Sequence, residues 1–265
     1  MAFINVNRIK FFFRVEGDPG APPLVLSNSL GTDHRMWDGQ MEDLTQHFRV
    51  VRYDGRGHGQ SEAPEGPYTN EDLAQDVLGL MDELHIGRTA FCGLSMGGLI
   101  GQWLAVNAPD RIGHLIISNT AAKIGTPEIW NQRIAVVEKD GLKAIADAVV
   151  ARWFTKEFVR RNSLAVAAVK QLLLATNPQG YASSCGAIRD MDMRGDVAKI
   201  TAPTLVIAGR DDPVTPVEDA KFLVDSIQGA WGKVLNAAHL SNVEDTVNFN
   251  DAVLKFLLTT VAGRG

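Results

Sequence analysis

A single pentapeptide, Gly93-Leu-Ser95-Met-Gly97, constrains the fold of this chain more than any other stretch. The apolar run 88–94 before it predicts a buried strand, and 96–108 after it has apolar residues at near-helical spacing. A serine held between a strand and a helix by two glycines is typical of a nucleophile elbow, because side chains at 93 and 97 would collide with the neighbouring strand and helix. The alternative is a glycine-rich turn in which the serine only caps the helix.

The rest of the chain predicts an α/β protein with a mostly parallel sheet and helices on both faces. The predicted strands are 2–6, 10–16, 23–27, 49–53, 88–94, 112–118, 203–208 and 232–236. Between 121 and 199 the pattern predicts four helices with no strand, an insertion on the side of a parallel sheet where ligands bind. We therefore expect a core domain, 1–120 and 200–265, and a helical lid subdomain, 121–199.

Composition excludes several classes of protein. The 265 residues carry a formal net charge of -5 and no basic run, which argues against nucleic-acid binding. Cys92 and Cys185 do not make a disulfide framework and indicate free thiols in a reducing compartment. The first residues lack the pattern of a leader, and no apolar run reaches membrane-spanning length. We expect a soluble, cytoplasmic protein that binds neither nucleic acid nor membrane, of undetermined oligomeric state.

A nucleophilic serine needs a base, and the base needs a carboxylate to orient it. His239 is favoured because it follows the last predicted strand at the ligand-binding edge of the sheet. His58 is the second candidate; it lies in the glycine-rich loop 54–61, which lacks a phosphate-binding pattern and is predicted to be a structural turn. Asp211 and Asp212 both qualify as the carboxylate, and spacing does not separate them. The other histidines are expected to be solvated: His34, His47, His85 and His114.

The chain order of serine, aspartate and histidine is that of α/β-hydrolases, and the sequence resembles this family along its full length. Four stretches are similar, more narrowly, to the 3-oxoadipate enol-lactonases: Leu26–Thr32, Ala151–Thr155, Gly180–Asp190 and Ala237–Glu244. Asn28-Ser29 stands where most of the superfamily has His-Gly, and the enol-lactonases share this substitution. The resemblance implies that Asp212 is the acid, in the family pattern Gly-x-x-Asp. It also implies an oxyanion hole made of the backbone amides of Leu30 and Met96.

The resemblance further implies hydrolysis of 3-oxoadipate enol-lactone to 3-oxoadipate, in the β-ketoadipate pathway of aromatic catabolism, with no metal or organic cofactor. This small lactone carries a free carboxylate, whose burial requires a cation. We expect Arg133 to bind the carboxylate while Trp130 and Trp153 wall the ring; the other candidate cations are Arg189 and Arg152. Carboxylesterases, perhydrolases, hydrolases of ring-cleavage products and small-molecule receptors share the fold and remain alternatives.

Overall fold

The computed structural model describes residues 2–262. The strands among these residues form one eight-stranded sheet. Its strands are β1 (Ala2–Val6), β2 (Ile9–Glu16), β3 (Pro23–Ser27), β4 (Arg49–Tyr53), β5 (Thr89–Leu94), β6 (Ile112–Ser118), β7 (Thr204–Gly209) and β8 (Trp231–Leu235). They lie in the order β1-β2-β4-β3-β5-β6-β7-β8. The pairs β1–β2 and β2–β4 are antiparallel and all other neighbours are parallel, which confirms the predicted mostly parallel sheet.

Helices pack against this sheet, as the alternating pattern predicts. The α-helices within the described residues are α1 (Met41–Leu44), α2 (Asn70–Glu83), α3 (Met96–Asn107), α4 (Pro127–Asp140), α5 (Ala146–Trp153), α6 (Lys156–Arg161), α7 (Ser163–Ala175), α8 (Pro178–Asp190), α9 (Val217–Ser226), α10 (Ser241–Glu244) and α11 (Thr246–Ala262). Helix α3 contacts β5 and β6, and α9 contacts β7. The central strands are apolar along their length because both of their faces are covered. Within 2–262, no helix is both long enough and apolar enough to span a bilayer.

The segment between β6 and β7 forms five α-helices, α4 to α8, and no strand. Four helices are predicted there; the fifth, α6, begins after Thr155, whose side chain accepts a hydrogen bond from the Phe158 amide. With six residues, α6 is too short for a periodic pattern to indicate it. The division into a core, 1–120 and 200–265, and a lid, 121–199, stays a prediction. Its outer ends, Met1 and 263–265, lie outside the described residues.

Two of the contacts between the segment 121–199, called the lid below, and the rest of the protein involve backbone groups. A Cβ on Gly57 would lie 2.5 Å from the Cα of Gly180, so the backbone of loop 54–61 meets the start of α8 with no side chain between them. Glu244 accepts hydrogen bonds from the backbone amides of Thr155, at 3.2 Å, and Ala238, at 3.0 Å. Glu244 therefore joins the lid to the loop that follows β8.

Candidate active site

The elbow holds Ser95 in a strained backbone conformation between β5 and α3. Its φ of 57° and ψ of -112° are uncommon for a residue with a side chain. A Cβ on Gly93 would lie 2.1 Å from the Gly97 carbonyl oxygen, and a Cβ on Gly97 would lie 2.2 Å from the Ser27 carbonyl oxygen. The predicted collisions with the helix and with a neighbouring strand are therefore confirmed. The Ser95 side chain forms no capping hydrogen bond, so the alternative of a capping serine is wrong.

A buried histidine from a distant part of the chain contacts the Ser95 hydroxyl, and a buried aspartate contacts that histidine. His239 Nε2 lies 2.9 Å from Ser95 Oγ, and His239 Nδ1 lies 2.8 Å from Asp212 Oδ2. Asp212 follows β7 and His239 follows β8, so the carboxyl edge of the sheet brings both to the end of β5. When Nδ1–H donates to the carboxylate, Nε2 is left to accept the serine proton. The arrangement can therefore activate a hydroxyl as a nucleophile.

The Asp212 carboxylate is surrounded by hydrogen-bond donors. Burial by itself raises the pKa of Asp212, but the charge of His239 and the hydrogen bonds outweigh burial and lower the pKa to about 2. Asp211, the other candidate, is exposed. The donors to Asp212 Oδ2 besides His239 are Asn119 Nδ2, at 3.0 Å, and Thr215 Oγ1, at 2.8 Å. The donors to Oδ1 are the backbone amides of Val214, at 2.8 Å, and Thr215, at 3.1 Å.

Asn119 is a site residue that the sequence analysis missed. Its Nδ2 donates to Asp212 and, at 3.1 Å, to the carbonyl oxygen of Ala238, so it contacts both the acid and the loop before His239. Its Oδ1 accepts from the hydroxyls of Ser118 and Ser241, at 2.7 and 2.6 Å. Its place directly after β6 is a usable signal, because polar residues at the carboxyl ends of parallel strands meet at one edge.

Two backbone amides lie next to the elbow and are suited to an oxyanion hole. Leu30 lies in the loop after β3, between two residues whose amides are engaged: the Ser29 amide donates to Met36 Sδ, and the Gly31 amide to His58 Nε2. Met96 is the first residue of α3, so its amide has no acceptor within the helix. The Leu30 and Met96 amides thus suit a substrate oxygen, and their role stays a prediction.

Asn28 shows what the departure from His-Gly does to this loop. Its side chain is buried, with Nδ2 donating to the Tyr53 carbonyl oxygen at 2.7 Å and Oδ1 accepting from Trp37 Nε1 at 2.9 Å. Its carbonyl oxygen accepts from the Gly97 amide at 3.1 Å. Asn28 therefore ties the loop after β3 both to β4 and to the first turn of α3.

The remaining histidines follow the expectation of solvated rings only in part. His47 and His85 are exposed, and His114 is half-buried. For His34 the expectation is wrong: its ring is buried, and Nδ1 lies 2.7 Å from Asp54 Oδ1. The two residues are separated by 20 positions in the chain, so local pattern does not reveal their pairing.

Asp33, His34 and Asp54 form, within the described residues, a group of side chains of the types that ligate metals. Their carboxylates already accept hydrogen bonds from the protein itself. Asp54 accepts from the amides of His34, at 2.9 Å, and Gln60, at 2.8 Å, and Asp33 accepts from the amide and guanidinium of Arg35. We assign no metal to this group.

A cavity beneath the lid opens onto Ser95 and is lined by aromatic and cationic side chains. Trp130 and Trp153 are buried in its wall, and the Trp130 indole donates to the Ile124 carbonyl oxygen at 2.7 Å. The Arg133 guanidinium stacks over the Trp130 ring, 4.9 Å from its centroid. All three predicted lid residues therefore reach the same cavity as the serine.

Arg152 lines this cavity as well, so two guanidinium groups share it. Burial, and then the neighbouring charge of Arg133, lower the pKa of Arg152. Among the described residues, neither Arg133 nor Arg152 forms an ion pair with a carboxylate; the arginines that do are others. Both guanidinium groups are therefore available to the carboxylate of a substrate. Arg189 lies elsewhere: it lines a separate surface groove and pairs with Asp190 at 2.6 Å.

Known proteins resemble this chain over most of its length. A family described as the alpha/beta hydrolase fold matches residues 22–246. The chain is 44% identical over 237 residues to 3-oxoadipate enol-lactonase 2 of Acinetobacter baylyi, spanning 89% of each chain. It is 42% identical over 236 residues to 3-oxoadipate enol-lactonase 1 of the same organism, spanning 89% and 88%. The crystal structure of the enol-lactonase from Burkholderia xenovorans LB400 superposes with a TM-score of 0.96 at 46% identity, covering 97% of this chain and 100% of that one. The resemblance predicted from the sequence is confirmed.

Proposed function

This chain belongs to the alpha/beta hydrolase fold family, and on that premise we propose that it is a serine hydrolase which opens the lactone ring of 3-oxoadipate enol-lactone to give 3-oxoadipate. The substrate is supported by the two Acinetobacter baylyi relatives and by the similarity to the Burkholderia xenovorans enol-lactonase, all of which match over most of the chain. The chain is thus an enzyme that cleaves a cyclic carboxylic ester.

In the first half of the reaction, His239 takes the proton of Ser95 while Oγ attacks the lactone carbonyl carbon. The amides of Leu30 and Met96 donate to the oxyanion, and because they are already oriented, no reorganisation is needed as the charge develops. The intermediate collapses by breaking the bond between the carbonyl carbon and the ring oxygen. The His239 imidazolium returns its proton to that oxygen, and the resulting enol tautomerises to a ketone.

In the second half, His239 deprotonates a water molecule that attacks the acyl-enzyme. Collapse of this second intermediate breaks the acyl–Oγ bond, returns the proton to Ser95 and releases the new carboxylic acid. Asp212 stabilises the imidazolium in both halves and holds the ring in the required tautomer. No metal or organic cofactor takes part.

The observation that carries the proposal is the pair of arginines in the cavity of Ser95. Placing two cations in a partly buried cavity costs desolvation energy, and an enzyme for neutral esters would gain nothing in return. A lactone that bears a carboxylate pairs with them. We assign Arg133 as the group that forks onto the carboxylate and Trp130 and Trp153 as the walls that hold the ring, with Arg152 as a second cation nearby.

The test is steady-state turnover of the purified protein with 3-oxoadipate enol-lactone and with 4-nitrophenyl acetate. We expect kcat/KM for the lactone to exceed that for the aryl ester by at least about 100-fold. We expect Ser95→Ala to lose at least about 10³-fold in rate without loss of fold, and Ser163→Ala, on the exposed start of α7, to keep full activity.

Three outcomes would contradict the proposal. A preference for the aryl ester would assign a carboxylesterase. Saturable binding of the lactone without turnover would assign a receptor. An active Ser95→Ala variant would remove the serine from the mechanism.

We also place the enzyme in the cytoplasm and in the β-ketoadipate pathway of aromatic catabolism. The cellular location is supported by Cys92 and Cys185, which are both free and buried, as suits a reducing compartment. Burial raises the pKa of both thiols, so neither is a reactive thiolate. Cell fractionation checks the location, and growth of a deletion strain on aromatic acids checks the pathway.

A further inference from the structure

The proposed chemistry does not use His58, although its ring is buried within the glycine-rich loop 54–61. His58 Nδ1 lies 3.1 Å from the Arg56 carbonyl oxygen, and Nε2 lies 3.0 Å from the Gly31 amide. A carbonyl oxygen only accepts and an amide only donates, so the proton is on Nδ1 and the lone pair is on Nε2. His58 is therefore a neutral acceptor with both ring nitrogens engaged.

The amide that His58 accepts belongs to the residue after Leu30. The peptide plane between Ser29 and Leu30 is held at its carbonyl end. The Ser29 carbonyl oxygen accepts hydrogen bonds from the Thr32 amide, at 3.2 Å, and from the Thr32 hydroxyl, at 2.8 Å. His58 holds the next plane, between Leu30 and Gly31. With both planes held, the Leu30 N–H has little freedom to turn.

The lid also packs against this loop. Gly31 has a φ of 76°, which favours glycine, and a Cβ there would lie 2.6 Å from Leu173 Cδ1 and 3.0 Å from Tyr181 Cε2. Beside His58, Gly57 meets the backbone of Gly180. The Leu30–Gly31 segment is thus held by contacts with α7 and α8 as well as by the hydrogen bond to the His58 ring.

We propose that His58 is a positioning residue for the oxyanion hole, which holds the Gly31 amide so that the neighbouring Leu30 amide points at the reacting carbonyl. This rests on the proposed function of Ser95. A doubly protonated ring would place an N–H against the Gly31 N–H. Burial lowers the pKa of His58, against smaller opposing contributions from the Arg56 carbonyl and the Asp54 and Asp33 charges, which keeps the ring neutral.

The test replaces the acceptor while keeping the shape of the ring. An oxyanion amide acts when charge develops, so misplacing it lowers kcat and leaves substrate binding nearly unchanged. We expect His58→Phe to lose about 10- to 100-fold in kcat with KM within about 3-fold. His58→Gln, whose Oε1 can accept from Gly31, should return kcat to within about 5-fold of the wild type. His47→Phe, the same change at an exposed histidine, serves as control.

Inhibitor binding separates positioning from general damage. A phenylboronic acid that forms a tetrahedral adduct on Ser95 should lose affinity in His58→Phe by about the factor lost in kcat, whereas adipate should lose less than about 3-fold. Equal losses for both inhibitors, wild-type kcat in His58→Phe, or equal damage by Phe and Gln would overturn the proposal.

A measurement on the wild-type protein covers the case in which His58→Phe does not fold. Nitrogen-15 NMR of the histidine rings at pH 7 should show His58 as the neutral Nδ1–H tautomer, and an Nε2–H or doubly protonated ring would refute the proposal. Binding of the boronic acid and turnover of 4-nitrophenyl acetate can both be measured without the lactone. Failure of the wild type to turn over enol-lactone would therefore contradict the proposed function. An unchanged boronate affinity in His58→Phe would instead contradict the positioning role of His58.

Discussion

Arg133 offers a way to separate recognition of the substrate carboxylate from the chemistry at Ser95. We would replace it by Met, which keeps a flexible apolar stem over the Trp130 ring and removes only the charged fork. A hydrogen bond to a charged group contributes about 1.5–3 kcal/mol, and 1.4 kcal/mol corresponds to a factor of ten. Arg133 is only partly buried and Arg152 remains in the cavity, so the lower half of that range applies. The expected loss in kcat/KM is about 10- to 50-fold.

The assay compares the lactone acid with its neutral primary amide, following ring opening by chromatography. Because the amide carries no charge, Arg133→Met should change its kcat/KM by less than about 3-fold. Arg189→Met is the matched control, since Arg189 pairs with Asp190 outside the cavity and should affect neither substrate. Equal losses for acid and amide would mean that Arg133 acts through packing. No loss for either, combined with an acid-specific loss in Arg152→Met, would move the carboxylate to Arg152.

The remaining predictions concern the acid and the elbow. Asp212→Asn should lower kcat by about 10³- to 10⁴-fold, and Asp211→Asn by less than about 3-fold. Similar losses would contradict the assignment of Asp212 as the acid, and a larger loss in Asp211→Asn would reverse it. Because the pKa of Asp212 is lowered to about 2, its stabilising effect is complete above about pH 4 and is lost as the pH falls towards 2. The free energy of unfolding, measured in urea, should therefore fall between pH 5 and pH 3, and the fall should be about 1 kcal/mol larger for the wild type than for Asp212→Asn. Equal falls in the two proteins would contradict the lowered pKa of Asp212. Gly97→Ala, which drives a Cβ against Ser27, should cost at least about 3 kcal/mol in urea unfolding, whereas Gly186→Ala, in open space on α8, should stabilise by up to about 1 kcal/mol. A stable Gly97→Ala protein would show that the elbow can relax.

The sequence predicts the sheet and the elbow well because both depend on local rules. Apolar runs of strand length and the steric demand at Gly93 and Gly97 can be recognised without knowledge of the fold. The choice of His239 follows from one topological rule, that parallel strands end at a common edge. Spacing leaves Asp211 and Asp212 equal, because only the turn after β7 decides which carboxylate is buried and which is exposed.

What the sequence does not predict depends on contacts between distant segments. His34 is expected to be solvated because nothing near it in the chain suggests Asp54, which folding brings to 2.7 Å. Asn119 has no motif and acquires its role only where β6 and β7 lie side by side. Arg152 ranks behind Arg133 on helix spacing, yet Arg133 on α4 and Arg152 on α5 both line the cavity, and only the packing of the two helices reveals this.

The backbone contact between Gly57 and Gly180 limits how this protein can be recombined with its relatives. A chimaera that takes its lid from another hydrolase would meet loop 54–61 of this chain at a spot with no room for a single methyl group. Any donor with a larger residue at the position of Gly180 would lift α8, and with it the Tyr181 ring that lies over Gly31. Exchanges of substrate specificity should therefore move the lid and loop 54–61 together, as one cassette taken from two separate parts of the gene.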